Sequence, residues 1–228
     1  MSQKKKSSNT FIIVLTLLVF ASIAVFVVLN SNNQKENEPG TEFSKQPSLE
    51  KQPRLGEEDA PVKVVEFGDF KCPACKAWGE SIYPQLVDDY VESGQVEFGY
   101  INVLFHGEES TLGSAAAEAV LKLEPESYWD FHKKLFAEQP ENDHDTVWLT
   151  VDKIHEVAAE TTGIAAEDLE AAMQTEAVVE EVNKDTSLVE EYEIQLTPTI
   201  MVNEVMIEDP FDYEKIKSVI DEALEDQE

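Results

Sequence analysis

A β-branched run, Val62-Lys63-Val64-Val65-Glu66-Phe67-Gly68, leads directly into Cys72-Pro73-Ala74-Cys75, and a helical pattern follows. This succession constrains the fold more than any other feature of the chain. The apolar run reads as a buried strand and Gly68 as the start of a turn. From Ala74 to Glu92 the residues Trp78, Ile82, Leu86 and Val87 recur at three- and four-residue steps, which places Cys75 in the first turn of a helix. Pro84 falls inside that pattern and predicts a kink. After a turn at Ser93-Gly94, residues 96–105 read as a second strand. A strand-helix-strand unit with parallel strands requires a right-handed crossover, so the cysteine-bearing helix lies on one face of the sheet.

These are the only 2 cysteines of the chain, which rules out a disulfide scaffold and any four-cysteine metal site. Unpaired N–H groups and the positive end of the macrodipole at a helix N-terminus favour a thiolate. Pro73 suits the first helical position, where its missing N–H is harmless. The spacing puts both sulfurs on one face. The expectation is a redox-active Cys72-Cys75 disulfide with no organic cofactor, Cys72 being the exposed nucleophile and Cys75 the buried resolving thiol. Three other readings of the pair stand beside it. They are a structural staple closing a very small ring, half a zinc site completed by two of His106, His132, His144 and His155, and two inert buried thiols.

Residues 110–191 contain no strand-like run but five helical ones: 112–123, 127–138, 147–161, 166–174 and 176–192. Pro125, Pro140 and Gly163 break them, and Ser127 suits an N-cap. Thr199 to Val202 and Val205 to Ile207 then read as an antiparallel hairpin turning at Asn203-Glu204. A closing helix spans Asp212 to Leu224, with Phe211, Ile216, Val219 and Ile220 facing inward.

The N-terminal region concerns location. Residues 11–29 are 19 consecutive residues without a charge, about 28 Å as a helix, enough to span a hydrocarbon core. Lys4, Lys5 and Lys6 precede this run, so residues 1–10 are expected in the cytoplasm and everything beyond the span outside. The run ends Val27-Val28-Leu29-Asn30 without a small-x-small cleavage site, favouring an uncleaved single-pass anchor in the lipid bilayer over a signal peptide. Residues 30–56 are polar, with three prolines and two glycines, and read as a flexible tether. The chain carries 47 acidic against 17 basic side chains. With a net charge of −30 and no basic stripe, nucleic acid and anionic headgroups are not partners.

The stretch from Asp59 through Cys75, the run Trp129-Asp130-Phe131-His132-Lys133-Lys134-Leu135-Phe136, and Leu196-Thr197-Pro198-Thr199-Ile200-Met201-Val202-Asn203 together resemble the DsbA-like thiol-disulfide oxidoreductases, in particular the membrane-anchored Gram-positive BdbD-like branch. The resemblance implies an α/β fold with a thioredoxin-like core at residues 57–109 and 192–228, an inserted helical domain at 110–191, and a transmembrane helix in front. By the same resemblance Pro198 is the cis-proline, Thr197 the backbone that pairs with an extended substrate, and Pro73 and Ala74 further substrate-contacting positions. Glu66 is the buried acid that takes and returns the proton of Cys75. Read without the family, Pro198 is a strand-start proline and Glu66 a solvated strand residue. Ala74 stands where enterobacterial members have histidine, which removes one stabiliser of the Cys72 thiolate. Lys71 is a candidate substitute.

The implied activity is donation of the Cys72-Cys75 disulfide to reduced or unfolded exported cysteine-containing proteins, with a quinone-coupled, DsbB-like membrane reoxidase as second partner. A reductase using the same cysteines and a non-catalytic client-binding module are the alternatives. Similarity to the Gram-positive branch also implies a structural calcium ion near Glu118 and Asp185, with Gln52. Glu118 is the lone charge in an alanine-rich helical run, and oxygen ligands of this kind suit Ca²⁺. Acids on a solvated helix face are the competing reading.

Overall fold

The computed structural model describes residues 40–142 and 146–226, so the expected cytoplasmic segment, membrane span and first part of the tether lie outside the described residues. Among the described residues no helix is long and apolar enough to cross a membrane. Six strands form one sheet: β1 Thr41–Glu42, β2 Arg54–Leu55, β3 Val62–Gly68, β4 Val96–Asn102, β5 Thr199–Val202 and β6 Val205–Met206, in the spatial order β1-β6-β5-β3-β4-β2. The central β3 pairs parallel with β4 and antiparallel with β5. Both faces of the sheet are covered, which is why β3 and β4 are almost continuously buried rather than alternating.

Helix α1, Pro73–Ser81, is interrupted at Ile82, two residues before Pro84, and resumes as the short α2, Tyr83–Leu86, followed by a wider turn over Val87–Val91. The expected kink therefore falls just ahead of the proline, which has no N–H to carry the ladder through. The helical insertion comprises α3 Glu108–Leu123, α4 Tyr128–Ala137, α5 Val151–Thr161, α6 Ala166–Met173 and α7 Glu176–Glu191. Helix α5 starts later than its pattern implied because Thr150 caps it, accepting from the Lys153 N–H at 3.2 Å. Ser127 sits at the N-cap position of α4 but caps nothing there, its hydroxyl being spent on Glu124. The C-terminal α8, Tyr213–Glu225, buries Ile216, Val219 and Ile220, whereas Phe211 is 40% exposed, contrary to its expected inward position.

Two features correct the sequence reading. Residues 40–56 are not tether. β1 and β2 lie within them, Leu49 packs beneath β4 against Gly99, and Gln52 is buried. Polar composition concealed a segment whose contacts to the sheet are few but specific. The second concerns the helices, whose core is continuous with the cysteines: Phe70, Cys72, Cys75 and Tyr100 share one apolar cluster with α3, α4, α5 and α6. The insertion has its own helices but closes over the CxxC as one body with it.

Candidate active site

Cys72 occupies the N-cap of α1 in extended conformation and Pro73 the first helical position. Cys75 lies one turn in, its sulfur accepting from the Asp69 backbone N–H at 3.4 Å. Both cysteines are thiols in this structure, 7% and 1% exposed respectively, so Cys72 is shallow rather than open. Its sulfur lies 3.4 Å from the Thr197 carbonyl, a bond open to the thiol form alone, and the Thr197-Pro198 peptide bond is cis. Pro198 thus leads into β5 rather than simply starting it, and the Thr197 backbone faces the sulfur.

Glu66 lies opposite Ile200 on one side and Tyr100 on the other. It is 3% exposed, which excludes a solvated strand residue, and its Oε1 has no hydrogen-bond partner. Burial first, and the neighbouring Cys72 sulfur second, push its carboxyl well above the ordinary carboxylate range. The two cysteines move in opposite directions. A hydrogen bond from Cys75, then the Thr197 side chain and the N–H groups of Cys75 and Ala74, bring Cys72 down to about 5 against the opposing effect of burial. Burial, the bond to Cys72 and the nearby Glu66 push Cys75 well up. The surroundings thus favour ionisation of Cys72 and protonation of Cys75, with Glu66 close enough to Cys75 to couple to it electrostatically.

Lys71 does not serve Cys72. Its Nζ pairs with Glu109 at 2.8 Å and bonds the Thr146 carbonyl, tying the active-site loop to the insertion. Sequence reasoning missed Gln139, a buried amide that donates to the carbonyls of Phe70 (2.8 Å) and Cys72 (3.2 Å) and so fixes the backbone entering α1. Nothing in the chain marks it beyond its place after α4. Among the described residues the histidines do not assemble a zinc site: His106 bonds Asp69 at 2.7 Å, and no three His, Cys, Asp or Glu gather as a metal cluster; His144 lies outside the described residues.

A family model described as Thioredoxin matches residues 48–222. Disulfide bond formation protein D of Bacillus subtilis (strain 168) is 42% identical over 192 residues, covering 84% of this chain and 86% of the relative. The chain belongs to the DsbA-like thiol-disulfide oxidoreductases. The probable disulfide bond formation protein D of Bacillus anthracis is 32% identical over 225 residues, covering 96% of this chain and 99% of that one. The crystal structure of oxidised BdbD from Bacillus subtilis superposes with a TM-score of 0.77 at 42% identity, covering 82% of this chain and all (100%) of that chain.

This oxidoreductase has a second buried polar site. Asn102, at the end of β4, donates to Glu118 and Asp185, both at 2.8 Å, and Gln52 donates to the other oxygen of Asp185 at 2.6 Å. All four side chains are at least 95% buried, so Glu118 and Asp185 are not on a solvated face. Burial, then the adjacent Asp185, push Glu118 up to about 8, and burial pushes Asp185 up to about 6. The Asn102 Oδ1 has no partner. Two carboxylates and two amides, with one amide oxygen unclaimed, fit a hard cation with oxygen ligands. Asn102 was not legible as a member of this set, since it reads only as a strand end.

Proposed function

We propose that the chain is an oxidase that passes the Cys72-Cys75 disulfide to reduced, exported proteins. The observation that carries this reading is the placement of the sulfurs, Cys72 at the N-cap of α1 beside the Thr197 backbone and Cys75 buried near Glu66, which favours opposite ionisation of the two. Stabilising the Cys72 thiolate stabilises the reduced enzyme relative to its disulfide, which makes the disulfide a donor. A client thiolate attacks Cys72, the bond to Cys75 breaks, and the Cys75 thiolate takes a proton from Glu66. A second client thiolate then attacks the client sulfur of the mixed disulfide and releases Cys72 as thiolate. Thr197 offers its backbone to an extended client segment in the manner of an added strand, with Pro73 and Ala74 flanking the sulfur. Two electrons pass to the enzyme, and a quinone-coupled membrane reoxidase removes them. The 11–29 segment as an anchor, with the domain outside, would place the enzyme beside both that partner and emerging clients.

Equilibration of the Cys72-Cys75 disulfide with glutathione tests the direction. The expected outcome is a pair reduced more readily than glutathione disulfide; a pair that stays oxidised in excess reduced glutathione would identify a reductase. Cys72→Ser should abolish exchange and Cys75→Ser should accumulate mixed disulfides with clients. The ultraviolet absorbance of the reduced protein should show one thiolate lost with a midpoint near pH 5. Because that pKa lies below the ordinary thiol value, the stabilisation it gives the reduced fold is complete at alkaline pH and disappears as pH falls towards 5.

The Gln52, Asn102, Glu118 and Asp185 set is proposed to hold a structural calcium ion. When bound, the ion would supply positive charge that relieves the repulsion between two buried carboxylates. It has no part in sulfur exchange.

A further inference from the structure

A cavity of about 220 Å³ lies between α1 and α4, with Glu66 and Cys75 at its inner end and the exposed Gly79, Glu80 and Lys133 at its mouth. His132 and Tyr83 line it between those ends. Each is 8% exposed, and neither His132 Nε2, Tyr83 OH nor Glu66 Oε1 has a hydrogen-bond partner in the protein. Three buried polar atoms around one space of this size can hold several water molecules, each with the two or more partners that buried water needs. The bland account of His132 is a ring packed in an aromatic cage. Its edge contacts with Tyr100 (4.5 Å) and Phe136 (5.0 Å) explain the burial of the ring, but not a nitrogen left without a partner.

We propose that His132 and Tyr83 hold a short file of water in this cavity and thereby position the proton path between Glu66 and solvent. The proposal rests on the reading of Cys75 and Glu66 as proton partners but not on the direction of electron flow. When the disulfide opens, Glu66 gives its proton to the Cys75 thiolate and is left as a buried carboxylate; the file returns a proton from solvent. When the disulfide re-forms, Cys75 gives its proton to Glu66 as its sulfur attacks the Cys72 sulfur of the mixed disulfide, the bond to the partner sulfur breaks and the partner leaves as a thiolate, and the proton departs by the same route. Burial and Lys133 bring His132 down to about 3, so the ring stays neutral and orders water without storing a proton. The groups facing it are Glu66 and Cys75 inside, Tyr100 and Tyr128 at its sides, and Lys76, Glu80 and Lys133 at the mouth. A neutral side chain between a buried acid and a charged rim lets protons pass without trapping charge. His132 and Tyr83 are positioning residues.

The test is the rate at which Cys75 resolves a Cys72-glutathione mixed disulfide, measured on the full chain across pH and in heavy water. His132→Phe and Tyr83→Phe should each slow resolution about tenfold near neutral pH, with the pH profile displaced and the solvent isotope effect enlarged. His132→Gln, which keeps a hydrogen-bonding end, should recover most of the rate. Gly79→Leu approaches the same path from outside: Gly79 lines the mouth and a Cβ added there meets nothing within 4 Å, so a leucine has room to narrow the mouth and should slow resolution without displacing a buried group. The glutathione equilibrium of each variant should match the parent, since a path alters rates and not end states. Should His132→Phe fold poorly, Tyr83→Phe and Gly79→Leu decide. Parental pH profiles and isotope effects in those variants would overturn the proton path. A parent equilibrium on the reducing side would instead overturn the oxidase direction and leave the path standing.

Discussion

The protein buries carboxylates in two places, and they are built differently. Glu66 stands alone: no amide or hydroxyl bonds its Oε1, and its neighbours are a sulfur and a cavity. Glu118 and Asp185 stand together, joined through Asn102 and Gln52. Burial raises all three carboxyls, so desolvation alone does not separate the sites. The number of oxygen donors does. A lone acid without partners can change only its proton, whereas two acids with two amides can share a divalent cation. On the proposed reading, the same unfavourable act, hiding a carboxyl from water, would serve exchange in one place and cross-linking in the other.

Exchanging the two roles is the strongest way to break this comparison. Glu66→Leu should slow resolution of the mixed disulfide about a hundredfold, as the loss of a positioned acid does, while Glu118→Gln should leave that rate near the parent value. Equal slowing in both variants, read by rapid-mixing kinetics, would mean that the sites are not functionally distinct. Next in size is the response to calcium. A calcium concentration about a hundredfold above its dissociation constant should stabilise the parent by about 2.7 kcal/mol and raise its Tm by several degrees. Asp185→Asn should lose this response and Glu66→Leu should keep it; melting curves that superimpose in calcium and in EDTA would dismiss the cation. The smallest effect is a slope. With its folded-state pKa raised, Glu66 holds its proton longer in the native state than in the unfolded chain. In the oxidised protein, where Cys72 does not titrate, this contribution to stability should therefore fall as pH rises above the ordinary carboxylate range. Glu66→Leu should remove this part of the slope, leaving that of Glu118 and Asp185, and be about 1 kcal/mol more stable near neutral pH, having lost a buried ionisable group. Chemical denaturation at two pH values measures it.

Local pattern made much of this legible. The β3-turn-α1 succession showed in the chain because β-branched residues and a three- and four-residue apolar repeat announce themselves within a few residues. The helices of the insertion emerged for the same reason, with errors at their ends where a cap such as Thr150 or a spent hydroxyl such as Ser127 decided the boundary. Glu66, Glu118 and Asp185 were reachable through resemblance to a family. Asn102, Gln139 and the partnerless nitrogen of His132 were not, because their roles exist only once distant elements meet. Lys71 failed for the opposite reason: adjacency to Cys72 suggested a role that a stronger partner, Glu109, has taken. Residues 40–56 were misread because a two-residue strand leaves no period to detect.

That segment carries a consequence of its own. Its first strand pairs with β6 at one margin of the sheet and its second with Phe98 and Gly99 of β4 at the other, so a stretch of chain preceding β3 covers part of both margins. Unpaired margins of a sheet invite pairing with other extended chains. If clients pair with the Thr197 backbone as proposed, these two short strands leave less open edge on the flanks of the sheet to compete for them.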